Sequence, residues 1–415
     1  MHALKRFPFY LETISNELSS VRLISTANSI SYSNENNLKS WKEIPGPTSL
    51  PIIGQMLHFL PGGMLHDYNK LQEILYNKYG PIVKLDGSLG SSTLIFLFEP
   101  EAAFHIFRNE NWAPVRPGFQ SLEYFKKHHS RKSGTVFNES TGLLTEHGET
   151  WRKFRSVVNP ALLQPKSIKL YRDTLTEVAE DMVKRLNEYF INKAIQNLKK
   201  RKELPLEEKG VLEKLLEIDH KVAVIMASDM LFAGIDTTAH SVIATLFLLA
   251  RNPEKQKKLR EEIMSKQEKQ TYLKGCIKEA MRLMPVVGGN FRQITKEYNV
   301  LGYKIPKDTF VVVGNQYMSL MEQYFPQPSE FIPERWIVDK DDPLYYGNAH
   351  PFAYRPFGFG VRSCIGRRIA ELEIETFVSK VIESFHLEWF GPSLKVRPAT
   401  INYLIGPYNF IFKDV

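Results

Sequence analysis

The chain has 415 residues and a mass of 47.9 kDa, with 43% hydrophobic and 12% aromatic content, which excludes disordered and collagen-like classes. Two cysteines, Cys276 and Cys364, exclude a disulfide-stapled secreted scaffold. A net charge of +8 is modest for this length; it suits an acidic protein partner or a membrane surface and gives no reason to expect nucleic acid.

Residues 1–40 carry eight serines, with Lys5, Arg6 and Arg22 among scattered apolar positions and Glu12 and Glu17 as the acids before position 30. This composition predicts a mitochondrial transit peptide, with a disordered tail as the alternative. Pro45-Gly46-Pro47 and the segment from Pro51 to Gly54 mark a rigid lead-in to a folded region. Ile82 to Leu85 and Thr93 to Phe98 predict two strands across a Gly/Ser turn. Residues 151–225 have helical period, interrupted at Pro160 and Pro165. Val222 to Ala250 predicts an apolar helix of roughly 45 Å. Asp229 and Asp236 within it would be costly in lipid, so a buried core helix is expected rather than a spanning one. A further helix runs from Leu273 to Met284 and stops at Pro285; short strands and loops follow, and a last helix covers Ile365 to Phe385. The run Lys199 to Lys202 reads as the wet face of a helix. There are no internal repeats and no GxGxxG, GxxxxGK, HExxH or GxSxG, so nucleotide-dependent transfer, zinc peptidase and serine hydrolase readings lack support.

The most informative segment is Pro356-Phe357-Gly358-Phe359-Gly360-Val361-Arg362-Ser363-Cys364-Ile365-Gly366-Arg367-Arg368. A metal-binding cysteine needs positive potential to hold its thiolate and a backbone that lets a flat cofactor approach. Cys364 stands where a helix begins, so the helix dipole favours a negative sulfur. The glycines leave room for a planar ligand, and Arg362 supplies a cation for an anionic group. Standing alone, such a cysteine would be read as a small buried apolar residue.

The pattern FxxGxRxCxG, filled at every position, resembles the haem-ligating loop of the cytochrome P-450 superfamily, and the likeness extends over most of the chain from residue 41. It implies a mostly α fold with a small β portion, the triangular prism of that superfamily. It also implies haem b held by Cys364 as the axial thiolate, a ligand that favours O–O cleavage and so oxygen activation. Trp151 and Arg155, spaced i, i+4, together with Arg292 and Arg362, look like partners of the haem propionates, and Phe357, Gly360 and Gly366 belong to the same cofactor loop. Glu279 and Arg282, with Arg335 of Phe331-Ile332-Pro333-Glu334-Arg335-Trp336, resemble the family's buried structural triad. Ala233-Gly234-Ile235-Asp236-Thr237-Thr238 resembles the oxygen groove, in which Thr237 hydrogen-bonds the bound oxygen and Asp236 feeds protons inward. That arrangement disfavours a haem-thiolate isomerase.

The segments from Cys364 to Glu373 and from Leu273 to Glu279 resemble the mitochondrial type of animals, and Trp112 to Phe119 resembles its insect members. The resemblance implies a ferredoxin electron donor, O2 and a lipophilic substrate, steroid-like or xenobiotic. Lys274, Lys278, Arg367 and Arg368 would form a basic face for the acidic donor. It also implies a peripheral protein on the matrix side of the inner mitochondrial membrane; an endoplasmic reticulum location is disfavoured by the lack of an anchor helix. Cys276 is expected to be a packing residue.

Trp151 and Thr237 are 86 residues apart, roughly a hundred fewer than in a family member of ordinary length, a comparison by analogy. Residues 41–415 therefore read as a haem domain with deletions near 190–191 and 265–273 and incomplete distal roof helices. The alternative function is a non-catalytic haem-binding or haemless remnant.

Overall fold

The computed structural model describes residues 38–87, 91–116, 120–133, 141–163, 214–215, 218–266, 269–399 and 401–415. The expected targeting segment, the Lys199 to Lys202 run and the 190–191 junction lie outside the described residues.

In chain order the elements are β1 (Lys39–Ser40), α1 (Leu71–Tyr79), β2 (Ile82–Leu85), β3 (Leu94–Leu97), α2 (Pro100–Arg108), α3 (Gln120–Ser133), α4 (Gly148–Leu162) and α5 (His220–Arg251). Then come α6 (Pro253–Met264), α7 (Thr271–Leu283), β4 (Asn290–Gln293), β5 (Tyr298–Val300), β6 (Tyr303–Ile305), β7 (Phe310–Val313) and α8 (Asn315–Met318). The chain closes with α9 (Arg367–Ser384), β8 (Phe385–Trp389), β9 (Lys395–Pro398), β10 (Asn402–Ile405) and β11 (Phe410–Asp414).

The apolar runs Ile82 to Leu85 and Leu94 to Leu97 pair antiparallel, with Ile82 opposite Leu97, because both are buried among the side chains of α1 and α2. β3 then pairs parallel with β7, and β7 antiparallel with β4, giving the order β2-β3-β7-β4. This sheet places Arg292 opposite Val311 on its edge strand.

The helical body is organised around α5. Asp219 caps its start, accepting from the backbone N–H of Lys221 (2.7 Å) and Val222 (3.1 Å), and Pro253 occupies the first turn of α6 directly after it. Leu246, Leu249 and Ala250 pack with Leu273, Cys276 and Ile277 of α7 and with Ile374 and Val378 of α9 in one apolar cluster. The expectation of a buried core helix is corrected in its N-terminal half, where Leu231, Phe232 and Ile235 turn outward with more than half of their surface exposed. By length and composition Asp229–Arg251 could cross a membrane, although it carries the carboxylates of Asp229 and Asp236.

Between α6 and α7 the chain turns in a few residues, with Lys266 in the left-handed region (φ 52°). Glu262, on α6, accepts from the backbone N–H of Tyr272 (2.7 Å) and Leu273 (2.9 Å) and from the Thr271 hydroxyl (3.2 Å). It thus satisfies donors that α7 leaves unpaired at its N-terminus.

Candidate active site

Cys364 lies in the loop between the single 3-10 turn Gly360–Arg362 and α9. Its backbone N–H donates to the carbonyl of Phe357 (2.9 Å), closing the loop. Gly358 and Gly360 both sit at φ 70°, a conformation that L side chains rarely adopt. A Cβ at Gly360 would meet no heavy atom within 4 Å, and at Gly366 the nearest would be Cys364 Sγ at 4.0 Å, so the loop presents open backbone near the sulfur. Cys276, by contrast, is buried in the apolar cluster of α7. The pKa of the Cys364 thiol is raised, desolvation being the largest cause, with the Gly366 N–H, Arg155, Arg116 and Arg367 acting in the opposite direction.

Four guanidinium groups gather beside this loop. Arg362 is buried and donates to the carbonyls of Pro114 (2.9 Å), Leu143 (3.4 Å) and Glu146 (3.0 Å), with its Cζ 3.8 Å from the centre of the Trp151 ring. Arg155 donates to the carbonyl of Ser363 (3.0 Å), the residue before the cysteine. Arg292 pairs with Glu110, donates to its own Phe291 carbonyl (2.9 Å) and lies 4.6 Å over the Phe107 ring. Arg116, which follows the bridge between Val115 and Gln293, is the fourth. Burial first, and then mutual repulsion, pushes Arg362 down to about 8 and Arg116 to about 10. Glu110 faces two of them, Arg292 and Arg362, so the cluster keeps an excess of positive charge that a dianionic ligand would neutralise. The residues present therefore fit haem: a thiol on an open loop face, and buried Arg292 and Arg362 with half-buried Arg116 and Arg155 in surplus beside it.

The Glu279 carboxylate is a hub with no exposed surface. It accepts from Arg282 Nε (3.0 Å) and Nη2 (2.8 Å), Arg335 Nε (2.9 Å), Trp336 Nε1 (2.9 Å) and the N–H of Ile332 (3.2 Å). The two arginines in turn hold the carbonyls of Ser319, Pro328, Glu330, Pro326 and Gln327. Sequence reasoning named the three charged residues and missed the indole.

On α5, Thr237 is half-buried and its hydroxyl donates back to the carbonyl of Ala233 (2.6 Å); Ser241 and Thr245 repeat the pattern at 2.9 and 2.8 Å. Asp236 is exposed. Thr238 hydrogen-bonds Glu373 of α9, whose carboxyl is raised by burial. Of the basic residues, Lys274 lies 3.9 Å from Glu375 and Arg367 pairs with Glu371 (2.9 Å). Lys278 reaches over the rings of Trp336 (5.5 Å) and Tyr346 (5.8 Å), and Arg368 is exposed. Phe357 is half-buried, with Arg367 5.5 Å over its ring.

A family model described as Cytochrome P450 matches residues 44–199 and 195–394. The chain belongs to the cytochrome P450 family. Family membership makes the chain a monooxygenase, and the family implies haem iron with thiolate ligation. Among curated relatives, Cytochrome P450 CYP12A2 of Musca domestica is 31% identical, the alignment covering 90% of this chain and 92% of the relative. "Probable cytochrome P450 12a5, mitochondrial" of Drosophila melanogaster is also 31% identical, covering 91% of each. The first of these alignments spans 498 positions, more than the 415 residues present, so this P450 is internally shorter than its relative. The solved structure of retinoic acid-bound cyanobacterial CYP120A1 shares the fold at a TM-score of 0.67 and 19% identity, over 92% of this chain and 100% of that one. Arg116 is the member of this arginine cluster that sequence reasoning passed over; the signal available was an arginine between Val115 and Pro117 in an otherwise apolar stretch.

Proposed function

We propose that this P450 is a mitochondrial monooxygenase that inserts one atom of O2 into a lipophilic substrate, steroid-like or xenobiotic, with electrons from an iron–sulfur ferredoxin. The observation that supports it best is the gathering of Arg116, Arg155, Arg292 and Arg362 beside the open face of the Cys364 loop. In this reading Cys364 holds the iron, the four arginines hold the two carboxylates of haem b, and Trp151 fixes the plane of Arg362 by stacking. Phe357, Gly360 and Gly366 shape the loop face. Haem bound there supplies oxygen activation, which an axial thiolate favours. Thr237 commits its proton to Ala233, so it accepts freely at its oxygen and must trade that bond in order to donate. Exposed Asp236 takes protons from solvent and passes them inward. The Glu279–Arg282–Arg335 triad holds the core and takes no part in chemistry.

The ferredoxin meets Lys274, Lys278, Arg367 and Arg368. Lys274, Lys278 and Arg367 all face Glu371 or Glu375, so the exposed Arg368 carries most of the attraction. Residues 1–40 and the relatives named mitochondrial support import into that organelle and peripheral residence on the matrix side of its inner membrane.

A second reading, a non-catalytic haem-binding or haemless remnant, is favoured by the internal shortening and by the exposed Leu231, Phe232 and Ile235 on α5. Deletions near 190–191 and 265–273 would leave such apolar surface without its roof. The difference spectrum of the purified, reduced protein with and without carbon monoxide separates the two. The strongly red-shifted Soret band of thiolate ligation, abolished by Cys364→Ser, is the expected result. No band, or one at the neutral-thiol or histidine position, refutes the monooxygenase reading for this chain.

A further inference from the structure

Asp229 lies two helical turns before Asp236 on α5 and is 3% exposed. Its carboxylate pairs with Lys126 of α3, whose ammonium also donates to the carbonyl of Thr141 (2.8 Å). Residues 141–147, leading into α4, pack tightly over it. Gly142 adopts φ 94°, and a Cβ there would collide with Asp229 Oδ2. The N–H of Leu144 donates to that same oxygen (3.4 Å).

The other side of this loop faces the cysteine loop. Arg362 Nη1 donates to the carbonyl of Leu143 (3.4 Å), and Nη2 donates to the carbonyl of Glu146 (3.0 Å). The Leu143 carbonyl and the Leu144 N–H are two ends of one peptide group. In a trans peptide they point in opposite directions, so a single planar unit spans the gap between a buried carboxylate and a buried guanidinium. A charge at each end polarises the peptide in the same sense, so each hydrogen bond strengthens the other. Glu146 closes the loop on itself by accepting from the Thr141 N–H (2.7 Å) and hydroxyl (3.0 Å), which leaves the peptide little freedom to turn away.

We propose that Asp229 is a positioning residue for Arg362, acting through the Leu143–Leu144 peptide and so joining the central helix to the loop that carries Cys364. The inference rests on the proposed function only in naming haem as what Arg362 holds; the bridge itself stands on these contacts. Loss of the charge at Asp229 frees the peptide to rotate, and Arg362 then loses its fixed orientation two residues before the cysteine.

Amide hydrogen exchange of the full chain, followed by mass spectrometry, tests this without haem. Asp229→Asn is expected to speed exchange by about threefold or more in two separated segments, 141–147 and 357–366. An effect confined to 141–147 overturns the proposal, because a purely local ion pair would do that and no more. In an Arg362→Lys background Asp229→Asn is expected to add nothing at 357–366; multiplied effects would also overturn it. Should Asp229→Asn fail to fold, the pair Asp229→Leu with Lys126→Met removes both charges together and leaves no unpaired buried charge. Exchange at 357–366 must then rise in the same way, and unchanged exchange there counts against the bridge. Transfer of haem to apomyoglobin gives the second readout, with Asp229→Asn expected to release haem about threefold faster. Unchanged release from Asp229→Asn argues against the bridge. A wild-type chain that retains no haem sinks the proposed function, and the exchange result alone then decides the role of Asp229.

Discussion

Replacing Glu279 by alanine removes the counter-ion of two arginines that have no exposed surface at all. Five hydrogen bonds to the carboxylate vanish, and the indole N–H of Trp336 and the N–H of Ile332 lose their acceptor. Breaking a buried ion pair from one side costs about 3–5 kcal/mol, since the remaining charge has neither partner nor water. Against a total stability of roughly 5–15 kcal/mol, this removes from about a fifth to all of the margin. Glu279→Gln keeps the shape and loses the charge, and it turns an amide N–H2 toward donors, so it is expected to cost nearly as much. Replacing all three residues by apolar ones would not rescue the fold, because Arg282 and Arg335 also serve the carbonyls of Ser319, Pro328, Glu330, Pro326 and Gln327. Urea unfolding followed by tryptophan fluorescence measures the loss. A cost below about 1 kcal/mol, the range of exposed ion pairs, would refute the reasoning that this hub is dry and fully committed.

Gly360→Val should cost about 1–2 kcal/mol in the same assay; no side chain crowds that position, so the penalty comes from forcing a β-branched residue to φ 70°. No loss of stability would show that the loop adopts another backbone path. Burial is the largest influence on His105, His147, His240 and His350, and all four have lowered pKa values. A base depressed in the folded state binds fewer protons there than in the unfolded chain, so stability is full above the unfolded value of about 6.5 and falls as pH drops through the folded values. The urea midpoint should therefore decrease between pH 7.5 and 5.5, and an increase would contradict the assignment. Arg368→Glu should slow reduction by a ferredoxin at low ionic strength, with the deficit shrinking as salt is added; a deficit indifferent to salt would exclude electrostatic docking there.

The elements that the sequence announced most clearly were those whose ends are chemically marked. The helix expected over Val222 to Ala250 spans His220–Arg251, because Asp219 caps it and Pro253 follows it. The one expected over Leu273 to Met284 spans Thr271–Leu283 and ends before Pro285, and the last helix, expected to start at Ile365, starts at Arg367. Residues 290–313 read only as short strands and loops, since the β3–β7 pairing joins segments more than two hundred residues apart that share no local signal. The candidate site divides the same way. Cys364 and its glycines form a contiguous motif and were legible at once. Asp229 looked like an awkward charge in an apolar helix because its partner, Lys126, lies 103 positions away. Arg116 needed the fold to bring it beside Arg292 and Arg155.

The cap on α7 comes from Glu262, in the preceding helix, rather than from the turn between them. A helix that borrows its cap from a neighbour does not depend on the composition of the segment leading into it. Residues can then be gained or lost in that turn while the start of α7 stays where it is. Chain-closure entropy resists such changes weakly, at about 0.6 kcal/mol for each doubling of loop length. The α6–α7 junction is therefore a place where this chain can change length over evolutionary time at small thermodynamic cost, and a natural position for splicing in a tag or a reporter.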